Sequence, residues 1–321
     1  MIVSMAHRFR VFLSLFKDSF NQWMDDQAPV LGAALSYYTV FSLAPLLVLT
    51  IAIAGMAFGE EAARGEIVGS IQGLVGREGA LAVQTMIENA RKPESGILAT
   101  VIGVFVLLFG ASGAFAQLQN ALNVIWKVAP NANSGVIPFL RRRFFSFAMV
   151  LSVGFLLLVS LAVSAALAAV GRYFAGVLPG GEAFWQITNF IISFGVVTLL
   201  FAMIFKFVHD ARVAWSDVWI GSALTAILFS IGKFLMGLYL GNSTIGSTYG
   251  AAGSLVVLLV WIYYSSQILF FGAEFTRVYA LRYGSGLRPL PGAHLIRIDG
   301  KTRDEREKRL QSRAGRRPVR E

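Results

Sequence analysis

Ionisable and hydrogen-bonding side chains placed inside long apolar runs are the residues of this sequence with a chemical meaning. Glu274 lies in LLVWIYYSSQILFFGAEFTRVYA, and Lys233 lies in SIGKFLMGLYLG. A charge in hydrocarbon is costly and turns toward protein or water, where it can carry a proton or attract an anionic substrate. Two plainer roles compete. Arg277, three residues beyond Glu274, can pair with it at the membrane interface, and Lys233 can snorkel outward or bond to Asn189. Uncharged polar residues fall in the same runs: Ser36, Tyr37, Tyr38, Thr39, Ser42 and Pro45 in LGAALSYYTVFSLAPLL, then Gln117, Gln119, Asn120 and Asn123, then Tyr263, Tyr264, Ser265, Ser266 and Gln267. Each can serve as a hydrogen bond between helices at about 0.6 to 2 kcal/mol, or together they can line a water-accessible cavity. The charge-free stretch GNSTIGSTYGAAGS, containing Tyr249, suits an irregular outer loop that reaches water or folds into such a cavity.

Positioning these groups calls for a membrane protein. The chain has 321 residues, of which 56% are hydrophobic and 14% charged, and its mean hydropathy is +0.64. That balance lies outside ordinary soluble domains. There is no cysteine, so disulfides and thiolate metal sites are excluded. The N-terminus shows no apolar core followed by a small-residue cleavage site, and no removable signal peptide is expected.

Residues 7 to 25 set Phe9, Phe12, Leu13, Phe16, Phe20, Trp23 and Met24 on one helical face, which predicts an interfacial helix along the membrane surface. Pro29 suits the first turn of a new helix, expected to run to about Phe58 with a bend at Pro45. Further spans are expected at about 97–126, 144–172, 184–208, 217–240 and 252–280. The reading is an all-α, polytopic membrane protein: six transmembrane helices in a domain over 1–284, and a basic, disordered tail over 285–321. Between spans one and two, apolar residues broken by Gly73, Gly76 and Gly79 predict two short helices that could cap the outer face.

Orientation follows from Lys and Arg in the connections. The tail from Arg277 onward has 13 basic and 5 acidic residues, the connection at 127–143 has Lys127, Arg141, Arg142 and Arg143 without an acid, and segment 59–96 has 4 basic against 6 acidic residues. Both termini and the 127–143 loop are therefore expected in the cytoplasm. The formal charge of +10 is explained by this placement, and no nucleic-acid partner is expected. Lys206, His209, Asp210, Arg212 and Asp217 flank the inner ends of spans four and five, where they read as interfacial anchors.

With six spans in this order, the runs AALSYYTVFSLAPLL, GASGAFAQLQNALNVIW, WSDVWIGSALTAILFSIGKFLMGLYL and YGAAGSLVVLLVWIYYSSQILFFGAEFTRVYA are similar to those of the BrkB/YihY family of bacterial inner-membrane proteins, a family once labelled as a ribonuclease. The resemblance covers about 8 to 284. It implies a six-helix inner-membrane protein with a transport role for lipid or another envelope-related amphiphile.

At about 1.5 Å of rise per residue, Ser36 to Ser42, Gln117 to Asn123 and Tyr263 to Gln267 reach similar depth in the cytoplasmic half. Lys233 comes roughly 24 Å from the inner end of its span, too far to meet Glu274. The cavity or pathway candidates are Ser36, Tyr37, Tyr38, Pro45, Gln117, Asn120, Asn123, Lys233, Tyr249, Gln267 and Glu274. Two functions compete: transport of an amphiphile through a polar cavity between helices, with membrane lipids as partners, or a non-enzymatic scaffold for envelope machinery. A nuclease would need a metal cluster or an acid/base pair. His7, His209 and His294 are dispersed without metal-ligand spacing, so neither enzymatic activity, catalytic residue, metal nor cofactor is expected.

Overall fold

The computed structural model describes residues 2–90, 113–130, 181–242, 252–290 and 293–296. They are mostly helical: α1 Ile2–Asp25, α2 Ala28–Phe58, α3 Glu60–Ala90, α4 over 113–125, α5 Gly181–Phe207, α6 Trp215–Asn242 and α7 Gly253–Arg282. Three of these, over Phe190–Phe207, Trp215–Tyr239 and Gly253–Arg282, are long and apolar enough to cross a membrane, and α2 contributes the apolar stretch Ala28–Ala44. The expected span at 144–172 lies outside the described residues, as does 97–112 of the second.

The boundaries of α2, α5, α6 and α7 fall within a few residues of those expected. Pro29 sits in the first turn of α2, where its missing N–H has no helical acceptor to lose. The helix stays unbroken through Pro45. In α3 the chain breaks at Gly76, whose φ of 76° and ψ of −179° suit only glycine. The two halves fold back on one another. Arg64 pairs with Glu88, although a straight helix would hold them about 36 Å apart. Val83 and Ile87 of the returning half bury against Leu47 and Ile51 of α2 and Leu258 and Ile262 of α7.

Four helices, α1, α2, α3 and α6, pack against α7. Its run from Gly272 to Val278 is buried without interruption, so this stretch is enclosed on every side rather than along one stripe. Such enclosure requires close approach, and α6 supplies it through paired Gly-x-x-x-Thr sequences. A Cβ on Gly221 would overlap the Thr276 side chain, and one on Gly272 would overlap Thr225. Each threonine thus rests on the other helix's glycine. The hydroxyls are satisfied within their own helices, Thr225 donating to the Gly221 carbonyl and Thr276 to the Gly272 carbonyl, both at 2.7 Å.

The α1 helix is seated on α7 by aromatic contacts, with Phe16 centred 5.5 Å from Phe271 and 5.7 Å from Phe275. Phe12, Leu13, Phe20 and Met24 stay exposed on the same helix. Two antiparallel ribbons close one end: β1 Val128–Pro130 with β4 Ala293–Leu295, and β2 Ala211–Arg212 with β3 Arg288–Pro289. Residues 288–289 and 293–295, expected in a disordered tail, are therefore paired. Backbone bonds from Leu290 to the Asp210 carbonyl and from Ile296 to the Lys127 carbonyl extend the attachment.

Gly221→Ala should lower the unfolding free energy in detergent by about 1–3 kcal/mol, the usual penalty for overpacking. Gly237→Ala on the same helix meets nothing within 4 Å and should instead be neutral or stabilising by up to about 1 kcal/mol. Denaturant titration of the two variants beside the parent measures both.

Candidate functional site

At the end of the bundle where α1 turns into α2, four charged side chains from three segments gather. Asp26 follows the last residue of α1, and Lys127 follows the last turn of α4. The two form an ion pair whose side chains are both largely buried. Beside them on α7, Arg277 Nε donates to Oε2 of Glu274 at 3.2 Å, and its guanidinium also donates to Oε1 of Gln22 on α1 at 2.8 Å. The Glu274 carboxyl has no exposed surface, and its Oε1 is buried without a hydrogen-bond partner, as is Oδ2 of Asp26. Fully ionised, the group holds two anions and two cations.

The backbone at this site is unusual in two matching ways. Gln27 and Lys127 both have φ of 53°, the left-handed conformation that normally falls to glycine after a helix. For other L residues it costs about 1–2 kcal/mol. Each occupies the turn that ends a helix, Gln27 N–H bonding to the Met24 carbonyl and Lys127 N–H to the Val124 carbonyl. The Asp26–Lys127 pair thus ties together two strained turns.

A second polar layer lies alongside. Asn123 Nδ2 donates to Oδ2 of Asp210, and the Asp210 N–H donates back to Oδ1 of Asn123, both at 2.9 Å. His209 is buried and stacks on Trp126 with ring centroids 4.3 Å apart. Its Nδ1 accepts the Ala211 N–H at 3.1 Å, while Nε2 lies 2.6 Å from the Phe205 carbonyl. Accepting at one nitrogen and donating at the other requires the neutral imidazole. Burial pushes His209 down to about 4 from 6.5; the Phe205 hydrogen bond opposes this and the Lys206 charge adds to it. Asp217, also buried, accepts from Ser216 and from the N–H and hydroxyl of Ser285, which anchors the chain leaving α7. Lys206 donates to the Val213 carbonyl and lies over the Trp215 ring. Read from sequence as interfacial anchors, His209 and Asp217 are instead internal struts.

The residues singled out from the sequence separate into two environments. Ser36 and Ser42 are buried, but their hydroxyls bond to carbonyls of their own helix, at Gly32 and at Tyr38 and Thr39. Asn123 joins Asp210, and Glu274 joins Arg277. Gln267 sits over Gly32, with both side-chain polar atoms buried and lacking partners. Gln117 is half-buried. Tyr37, Tyr38, Asn120 and Lys233 point outward, with Tyr37 59% and Tyr38 46% exposed. Tyr249 lies outside the described residues, and Pro45 is described only as part of helix α2. Lys233 borders a shallow crevice with Trp261 and Tyr264 that has no room even for a water molecule, unlike a ligand pocket. Among the described residues no group of three or more His, Cys, Asp or Glu is arranged to hold a metal.

Asp26 and Gln22 were not singled out from the sequence, and Lys127 appeared there only as a charge that sets orientation. Their partners lie 101 and 255 residues away.

Comparison with known proteins places this arrangement in a family. Residues 19–295 match the model of virulence factor BrkB, and the chain belongs to that family. A UPF0761 membrane protein of Pseudomonas aeruginosa is 30% identical over 266 residues, covering 79% of this chain and 59% of its own length. Proteins of the same name from Ralstonia nicotianae and Azotobacter vinelandii are 27% and 28% identical, over 78% and 84% of this chain and 55% and 64% of their own. The chain thus spans a little over half the length of these curated relatives. No solved structure matches it.

The neutral His209 gives a signed pH dependence. Because its folded value is the lower one, its contribution to stability is complete above pH 6.5 and is lost as pH falls toward about 4. That loss should reach about 3 kcal/mol. Unfolding titrations of the parent and His209→Gln across this window should converge as pH falls.

Proposed function

We propose that this membrane protein is a non-enzymatic transporter that moves an amphiphile of the cell envelope, such as a lipid, across the bacterial inner membrane. In this reading the domain has six spans and cytoplasmic termini, as the distribution of Lys and Arg suggests. The observation that carries the proposal is the outward exposure of Tyr37 and Tyr38 on α2 and Asn120 on α4, within apolar helices. The two helices run antiparallel. Gly113 lies against Tyr38, and Trp126 shares a core cluster with Ala28.

Hydrocarbon offers hydroxyl and amide groups no hydrogen-bond partner. A headgroup moving along this strip would supply one while its tails stayed in lipid. The aromatic rings beside it, with Tyr37 centred 4.8 Å from Phe41, offer apolar bodies and polar tips. This geometry favours a lateral track over the enclosed cavity expected from the sequence, because the tyrosines and Asn120 leave the bundle rather than converge within it.

Reconstitution into vesicles containing fluorescent phosphatidylethanolamine or phosphatidylglycerol tests the reading. The parent should speed translocation above protein-free vesicles. Tyr38→Leu and Asn120→Leu should each slow it by roughly tenfold, the kinetic equivalent of one hydrogen bond of about 1.4 kcal/mol. No acceleration by the parent would instead favour a scaffold for other envelope machinery.

A further inference from the structure

Beyond Asp217, Lys233 is the one charged residue of α6, and it stands on a face suited to hydrocarbon. Ile231, Phe234 and Leu235 around it are exposed, and so is its own side chain. On a helix long and apolar enough to cross a membrane, such a face meets lipid. Charged side chains within spans ordinarily turn toward protein and pair there. Lys233 does neither: among the described residues it makes no ion pair. The carboxylate of its own helix, Asp217, lies about 24 Å away along the axis and is engaged by Ser285.

Trp215 and Trp219 are exposed toward one end of α6 and Tyr239 toward the other, the placement that aromatic residues take at the two surfaces of a bilayer. Lys233 comes about 9 Å before Tyr239 along the helix, and its four-carbon stem can carry the ammonium toward the headgroups at that end. Gly232 lets α7 come close, since a Cβ there would stand 2.8 Å from the Tyr264 ring and 3.1 Å from its hydroxyl oxygen. The phenol of Tyr264 is thereby set against the turn that carries Lys233. Ser265 borders the same crevice, together with Met236 and Trp261. One cation and two hydroxyls thus share an apolar rim.

We propose that Lys233, with the Tyr264 and Ser265 hydroxyls beside it, binds the phosphate of an anionic phospholipid such as phosphatidylglycerol, from the leaflet at the Tyr239 end of α6. The unpaired ammonium calls for an anion, and hydroxyls donate to phosphate oxygens. The crevice is too shallow to enclose a soluble anion, whereas a lipid phosphate is held at this depth by its own tails, which lie along Ile231, Phe234 and Leu235. A zwitterionic headgroup neutralises its phosphate with its own amine. A net negative one leaves its charge for Lys233. The site holds a lipid whether or not the protein moves one, and it lies on helices other than those of the tyrosine strip.

Photolabelling of the full chain in phosphatidylcholine vesicles tests the site without measuring translocation. A phosphatidylglycerol probe with a diazirine close to its glycerol should label peptides containing residues 229–236 and 261–268 about fivefold more than the matching phosphatidylcholine probe, the equivalent of one lysine–lipid charge contact. Lys233→Leu should erase that preference, and Lys233→Arg should keep it. An excess of water-soluble glycerol phosphate should leave the labelling unchanged. If Lys233→Leu fails to fold, Lys233→Gln removes the same charge and should erase the same preference. Equal labelling of the parent by the two probes, a preference that survives loss of the charge, or one abolished by glycerol phosphate overturns the proposal.

Discussion

A carboxyl group with no access to solvent, inside a bundle of apolar helices, is the constraint around which one end of this protein is arranged. Isolating an ionised carboxylate in such surroundings would cost several kcal/mol, so the chain must deliver a partner to Glu274. Arg277 supplies it from a single turn away, and is itself held by Gln22 of α1, while Asp26 in the turn into α2 pairs with Lys127 at the end of α4. Bringing those segments together forces Gln27 and Lys127 into the left-handed region. The strain and the ion pairing are linked, since the turns that position Asp26 and Lys127 are the strained ones. The same enclosure needs α6 against α7, which the reciprocal Gly221–Thr276 and Gly272–Thr225 contacts permit.

The helices were legible in the sequence because length, apolar content and proline placement are local properties. Pro29 marked the start of α2, and the glycines of the following segment marked a break that the structure puts at Gly76. The site was legible only in part. Glu274 and Arg277 stood out as charges in an apolar run, and their spacing of three was enough to suggest the pair that forms. Asp26 and Lys127 gave no such signal: each lies at a helix end, where a charge is ordinary, and only the fold brings them together.

Polarity within a span proved a weak guide to what a residue faces, for a physical reason. Ser36, Ser42, Ser266, Thr225 and Thr276 all donate to carbonyls of their own helix, three or four residues back. A hydroxyl satisfied this way can lie in a dry seam without any polar neighbour. Tyrosine cannot reach its own backbone like this, and asparagine has more donors and acceptors than one carbonyl can satisfy. That difference sorts the polar residues of α2 and α4: the serines pack inside, the tyrosines and Asn120 turn outward, and Asn123 finds a matching partner in Asp210.

The charged cluster and the outward strip share one element. α2 begins at Ala28, two residues after Asp26, and continues without a break past Tyr37 and Tyr38, a rise of about 15 Å from Ala28 to Tyr38. An unbroken helix transmits a tilt or shift of its end to every residue along it, whereas a flexible link would absorb the motion. The turn before α2 is also where backbone strain is concentrated, at Gln27, and where the retaining contacts are electrostatic. Electrostatic contacts in a dry site are sensitive to a single charge in a way that apolar packing is not. The returning half of α3 grips α2 further along, at Leu47 and Ile51, beyond the tyrosines. The segment between turn and grip is therefore the part of α2 on which the Asp26–Lys127 pair has the most leverage, and it is the segment that carries Tyr37 and Tyr38.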